Sequence, residues 1–351
     1  MVVDSNILAN GFTNQSCFAS TDCNSLELQC FFNQKCGCAH HLGLSGDSCE
    51  SEWYALPHAT LKVLLFGVAS LYCSKMVYNR IVKNKEKGFN ASTSTLLQVW
   101  ISLLNGLIAF IIDLVVVAGF PHHTAVAGII QTWCFTASLV NTFGGALNVS
   151  FLWIEISFQN KLSSLKNLKR TKSLLIATKL LLFSSTISIV AVTREPFFAF
   201  VPAIFFSFFT AVTFIFGGCY LTKALKGNQY NQPQDPNNDR NLVRIKATAW
   251  MISKNCIGFC VYIYLFYYSF KGIVWLGVLS YFLAAIVLFN INMTVLMYLK
   301  GKRFSYWGML IGHGLLKRCN FRAQQVNPET ASDDEEAPPT KCPPKFSLLH
   351  K

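Results

Sequence analysis

Cys17, Cys23, Cys30, Cys36, Cys38 and Cys49, six of the thirteen cysteines in the chain, fall within the polar stretch Met1–Glu52. So short a segment cannot bury them as core, so they act as staples, either as disulfides or as metal ligands. His40 and His41 beside Cys38 keep a zinc site open. The compartment decides between the two, since an outside location favours disulfides and a cytosolic one favours zinc. Asn14-Gln15-Ser16 is a glycosylation sequon and agrees with an outside location.

A second set of polar groups lies inside long apolar runs. In Thr124–Gln159, the residues Gln131, Cys134, Ser138, Asn141, Gly145, Asn148 and Glu155 recur at steps of three, four and seven. That spacing places them on one stripe of an α-helix. A polar stripe facing hydrocarbon is costly, so this one is expected to face protein, as a coupling stripe or as a packing seam of small residues. Asp113 shares a face with Gln98, Ser102 and Asn105, toward the outer end of the preceding run, whereas Glu155 sits at the inner end of its own, so these two acids are not expected to pair. Lys179 lies near the depth of Glu155, where an ion pair or snorkelling to the interface would each satisfy it. Lys254 has no acid at its depth. It is read as a snorkelling lysine that lines an inner water-filled cavity, or as a ligand or switch residue within reach of Asn148.

The elements that must position these groups follow from composition. Of 351 residues, 52% are hydrophobic and 13% charged, against about a quarter charged in soluble chains. This is the composition of an integral membrane protein whose first partner is the lipid bilayer. The net charge of +13 does not point to nucleic acid, because it is concentrated in short segments between apolar runs. Seven runs are long enough to span: about Pro57–Tyr78, Thr95–Phe120, Thr124–Ser157, Ser173–Val192, Pro196–Leu221, Ala247–Phe270 and Ile273–Leu299. Lysines and arginines cluster after the first, third, fifth and seventh runs, while the other side offers Lys35, Arg194 and Lys271. Positive charge stays cytoplasmic, so the amino terminus is expected outside and the carboxyl terminus inside. Met1–Glu52 lacks the basic start and apolar run of a cleaved signal peptide, so the first span is expected to carry it across.

Four parts result. Residues 1–56 form an extracellular cysteine-rich segment and 57–303 the bundle. Residues 304–319 form an interfacial amphipathic helix through Phe304, Trp307, Leu310, Ile311 and Leu315, and 320–351 a disordered cytoplasmic tail. Cys319 is a juxtamembrane palmitoylation candidate, and Ser332, ahead of four acids, a phosphorylation candidate. The fold class expected is an all-α membrane protein, a seven-helix transmembrane bundle with its N-terminus outside and a small disulfide-rich N-terminal module.

The cysteine order, with Cys36-Gly37-Cys38 and the ending Gly43-Leu44-Ser45-Gly46-Asp47-Ser48-Cys49, resembles an EGF-like module. That resemblance implies the pairs Cys17–Cys30, Cys23–Cys36 and Cys38–Cys49. The seven runs, the outside amino terminus, the long third run, the short outer loops and the inner helix with its cysteine resemble a G-protein-coupled-receptor-like protein. The likeness is architectural. Ile154-Glu155-Ile156-Ser157 stands where rhodopsin-like receptors have an acid-Arg-Tyr motif, and Asn290-Ile291-Asn292-Met293 stands where they have N-P-x-x-Y. Microbial rhodopsins need a lysine in the last span, and Ile273–Leu299 has none, so retinal is not expected. The run Leu152–Ile156 is similar to the plant tobamovirus-multiplication membrane family, which scaffolds cytosolic partners.

These resemblances imply a receptor-like protein of the plasma membrane. It would sense an extracellular ligand or protein through 1–56 and signal to a cytosolic partner through its inner loops. A multi-pass scaffold or transporter is the alternative. A membrane zinc hydrolase, using His58, His122, His123 and Asp113 at the outer rim, is a further one. No catalytic residue, resident metal or cofactor is assigned.

Overall fold

The computed structural model describes residues 12–16, 28–30, 35–45, 49–83, 91–119, 125–159, 165–193, 196–229, 236–269 and 274–300. Arg303–Lys351 separates as its own unit. The expected interfacial helix, Cys319 and Ser332 therefore lie outside the described residues, as do Cys17 and Cys23. Asn14 and Cys30 are described as strand backbone only, and Glu155 as helix backbone only.

The cysteine-rich segment is built from short strands. β1 (Phe12–Ser16), β2 (Leu28–Cys30) and β3 (Lys35–Cys38) form an antiparallel sheet in the order β1-β3-β2. A single 3-10 turn, His40–Leu42, follows, then a two-stranded pairing of β4 (Leu44–Ser45) with β5 (Glu50–Ser51). The Cys38–Cys49 disulfide closes this last part, and Cys36 is disulfide-bonded as well. Cys38–Cys49 is one of the three pairs that the EGF-like resemblance implies.

Among the described residues seven α-helices follow: α1 (Ala55–Tyr78), α2 (Ala91–Val117), α3 (Ala125–Gln159), α4 (Leu165–Thr193), α5 (Pro196–Gln229), α6 (Pro236–Ser269) and α7 (Val274–Leu299). Six of them, all but α4, are long and apolar enough to cross a membrane by length and composition. The run expected as the fourth span falls on α4, whose apolar part among the described residues is Ile176–Ile189, shorter than the others and than the ~20 residues a bilayer core needs.

The helices pack as a ring. α1 lies on α2 and α7, α2 on α3, α3 on α4 and α5, α5 on α6, and α6 on α7. α3 also touches α7, so it passes through the middle rather than along the wall. Its buried residues Leu139, Phe143, Leu147 and Trp153 are the hub of the core. Leu64, Val68, Leu71, Phe205, Phe208 and Trp250 are exposed on the outward faces of α1, α5 and α6. A soluble protein would hide such a belt, whereas lipid is its natural solvent.

Candidate functional site: a buried ion pair beneath the cysteine-rich segment

α1 carries Lys62 two turns below its start, in the apolar sequence Thr60-Leu61-Lys62-Val63-Leu64. The side chain is 4% exposed. An ammonium so buried needs an anion, and α2 supplies it: Lys62 Nζ donates to Asp113 Oδ2 at 2.9 Å. The carboxylate collects two further donors. Gln131 Nε2 of α3 reaches Oδ1 at 2.7 Å, and the Tyr281 hydroxyl of α7 reaches Oδ2 at 3.0 Å. The ammonium also lies 4.1 Å from the Tyr281 ring centroid and 4.9 Å from that of Phe110. Four helices thus converge on one carboxylate, and both of its oxygens are taken.

The cysteine-rich segment forms the lid of this site. Its 3-10 turn places the His41 ring edge-on to Tyr281, with centroids 5.3 Å apart, and edge-on to Phe266 of α6 at 5.9 Å. The turn ends at Gly43, whose φ of +83° suits glycine and few other residues. A Cβ there would stand 2.6 Å from the Ala55 Cβ and 3.1 Å from Val278 Cγ2, so only glycine lets the turn close onto α1 and α7. Glu52 fastens the strap from outside, donating its amide to the Gly43 carbonyl at 2.8 Å and accepting the Ser45 hydroxyl at 2.6 Å. Burial drives the His41 pKa down to about 4. Asp113 opposes this, and the charge of Lys62 and neighbouring His40 add to it. The imidazole over the ion pair is therefore neutral at neutral pH.

Below the ion pair the polar stripe of α3 continues against its neighbours. Eleven residues inward on each of three helices, about 16 Å at 1.5 Å per residue, Asp113, Gln131 and Tyr281 give way to Ser102, Thr142 and Asn292. Ser102 Oγ lies 2.6 Å from Thr142 Oγ1 and donates to the Ser138 carbonyl at 2.8 Å, while Asn292 Nδ2 reaches Thr142 and Ser102 at 2.9 and 3.1 Å. Asn292 Oδ1 is buried and has no hydrogen-bond partner among the described residues. Eleven residues are close to three helical turns, so both layers sit on the same faces. Further in, Asn148 donates to Gln98 Oε1 at 2.9 Å and accepts from Lys179 Nζ at 2.6 Å, joining α2, α3 and α4. At the lysine-rich end, Trp153 Nε1 donates to the Tyr298 hydroxyl at 2.7 Å. Arg244 of α6 and Arg80 beyond α1 there donate to the carbonyls of Tyr298 and Leu299, the last two residues of α7.

Several sequence expectations take a different form here. Lys179 spends its ammonium on Asn148, and the side chain of Glu155 lies outside the described residues. Asn148 does not meet Lys254, because Asn148 faces α2 and α4 while Lys254 is exposed on the outward face of α6. Asn141 bonds back to the Ala137 carbonyl on its own helix. Of the zinc set, His122 and His123 lie outside the described residues. His58 Nδ1 is 2.6 Å from the Tyr54 carbonyl, both Asp113 oxygens accept hydrogen bonds, and among the described residues no cluster of three metal-ligating side chains is present. Sequence reasoning missed Lys62 and Tyr281. The signal for Lys62 was a lone lysine inside an apolar run, one helix before an acid at the same end of the bundle.

The chain defines a class: a helical multi-pass membrane architecture with a disulfide-stapled cap on one end. No protein-family model matches the sequence, and no curated protein matches it significantly.

Proposed function

We propose that this chain is a receptor-like seven-helix protein of the plasma membrane, with α4 as the seventh span and the amino terminus outside. The cysteine-rich segment, an EGF-like module glycosylated at Asn14, meets an extracellular ligand or protein, and the inner loops report to a cytosolic signalling partner. One observation carries this reading. The segment seats His41 on Tyr281, which holds the carboxylate tying α1, α2, α3 and α7 together. A partner that pulls on the segment therefore pulls on the junction of four helices, and α3 extends from that junction to the lysine-rich end. Palmitoylated Cys319 and phosphorylated Ser332 would tune the inner side.

The test has two arms in cells expressing the full chain. Tags at the two ends, probed before and after permeabilisation, should show the amino end outside and the carboxyl end inside. Gly43→Val, which unseats the turn without touching the ion pair, should shift basal second-messenger output (cyclic AMP and calcium) at equal surface expression. A reversed topology or unchanged output in this variant refutes the reading.

A further inference from the structure

Away from the polar column, a groove of about 480 Å³ opens on the outward face between α5 and α6. Its floor is the contact of Gly218 with Ala249, where a Cβ on the glycine would stand 3.0 Å from the alanine methyl. Ile215, Trp250 and Ile257 form its walls and are 50%, 69% and 56% exposed. Lys246 and Lys254 line the same groove. Both are exposed, and among the described residues neither has a carboxylate within 4.0 Å, the ion pair found there being Lys62–Asp113.

In a multi-pass protein this outward face is bathed in lipid. Lys246 lies at the lysine-rich end of α6, and Lys254 is about 12 Å deeper at 1.5 Å per residue. An ammonium at that depth facing hydrocarbon is costly unless it reaches toward the headgroups and finds an anion. Two lysines along an apolar trough match one kind of molecule, an anionic headgroup continuous with an acyl chain. A choline headgroup would instead bring a third cation beside the two lysines.

We propose that the α5–α6 groove is a binding site for an anionic phospholipid of the leaflet at the lysine-rich end of the bundle, its headgroup held by Lys246 and Lys254 and its acyl chain lying against Ile215, Trp250 and Ile257. This rests on the multi-pass architecture alone and stands or falls independently of the receptor reading.

The experiment is native mass spectrometry of the full chain, delipidated in detergent and titrated with phosphatidylglycerol or phosphatidylcholine. One phosphatidylglycerol should bind in preference to phosphatidylcholine. Lys246→Gln and Lys254→Gln should each weaken it about fivefold. Lys75→Gln, an exposed lysine at the same end of the bundle on α1, should leave it unchanged. Ile215→Trp fills the groove without altering charge and should also reduce binding. Equal binding of the two lipids, an equal loss with Lys75→Gln, or unaltered binding in Ile215→Trp overturns the proposal. So does competition by millimolar glycerol phosphate, which would make the site one for free phosphate.

Discussion

Replacing Asp113 with alanine is the perturbation whose size follows most directly from the structure. The variant strands the Lys62 ammonium among Phe110, Tyr281 and apolar neighbours at 4% exposure. Removing one partner of a buried ion pair costs about 3–5 kcal/mol, because the other charge stays buried without compensation. Gln131 and Tyr281 lose their acceptor as well, which adds to the deficit. At about 1.4 °C per kcal/mol for a chain of this size, the midpoint of thermal unfolding in detergent should fall by roughly 4–7 °C. Lys62→Met should cost less, since the carboxylate retains two neutral donors. The double variant Lys62→Met/Asp113→Ala removes both charges together and should recover much of the loss, because no buried charge is left unpaired. Fluorescence-detected size-exclusion after heating, on all four members of the cycle, measures the coupling. Additive losses, or an Asp113→Ala midpoint within about 2 °C of wild type, would show that the pair is not closed off from solvent and lipid and would sink the reasoning.

The lid and the inner layers give two further expectations. His41 is held neutral with a pKa near 4, against an ordinary value of 6.5. The unfolded chain therefore takes up a proton first on acidification, and stability should fall as pH drops from about 6.5 toward 4, then level off. His41→Phe, which keeps the ring contact with Tyr281, should flatten that slope in thermal unfolding across pH, and an unchanged slope refutes the assignment. Asn148→Leu leaves Lys179 Nζ and Gln98 Oε1 without their shared partner, at a cost of about 1–3 kcal/mol. Hydrogen exchange should then rise along α4, and the Lys62–Asp113 coupling energy should stay as in wild type.

Much of this arrangement was legible in the sequence, for identifiable reasons. Helix-forming apolar runs are long, and the steps of three and four in α3 needed only the helical period to predict a stripe. The period says which residues share a face but not which helix that face meets, so Asn148 was assigned no partner among Gln98 and Lys179. Depth alone brought Lys254 within reach of Asn148, because depth fixes position along the membrane normal and leaves rotation about the helix axis free. Lys62 was hidden by its surroundings, since a single charge barely changes the average of an apolar window. Tyr281 was hidden because a tyrosine in a span reads as packing until a carboxylate is found opposite its hydroxyl. The contact between Gly43 and Ala55 joins a loop to a helix, and no local pattern encodes it.

The distribution of polar contacts divides the bundle into a fixed part and a looser one. α1, α2, α3 and α7 share the ion pair, and α2, α3 and α7 share the hydroxyl–amide layer beneath it. Sliding or rotating any of these helices would break charge-assisted or buried hydrogen bonds, each expensive where no water can replace it. α5 and α6 are held mainly by shape: Phe143 of α3 meets Phe206 and Phe259 edge to face, and two serines donate across the α5–α6 seam, Ser207 to the Cys256 carbonyl and Ser253 to that of Ala211. Such contacts survive small displacements. Arg244 is the exception, because it pins the lysine-rich end of α6 to the last turn of α7 through Tyr298. Displacing α6 releases this arginine without touching the Lys62–Asp113 pair, which joins α1, α2, α3 and α7. The arginine contact is the cheaper one, since Arg244 is only part-buried and borrows a carbonyl that the helix terminus leaves unpaired, whereas Asp113 is sealed at 0% exposure. The structure therefore places its rigid joint beneath the cysteine-rich cap and its releasable one at the opposite end of α6, beside the lysine-lined groove.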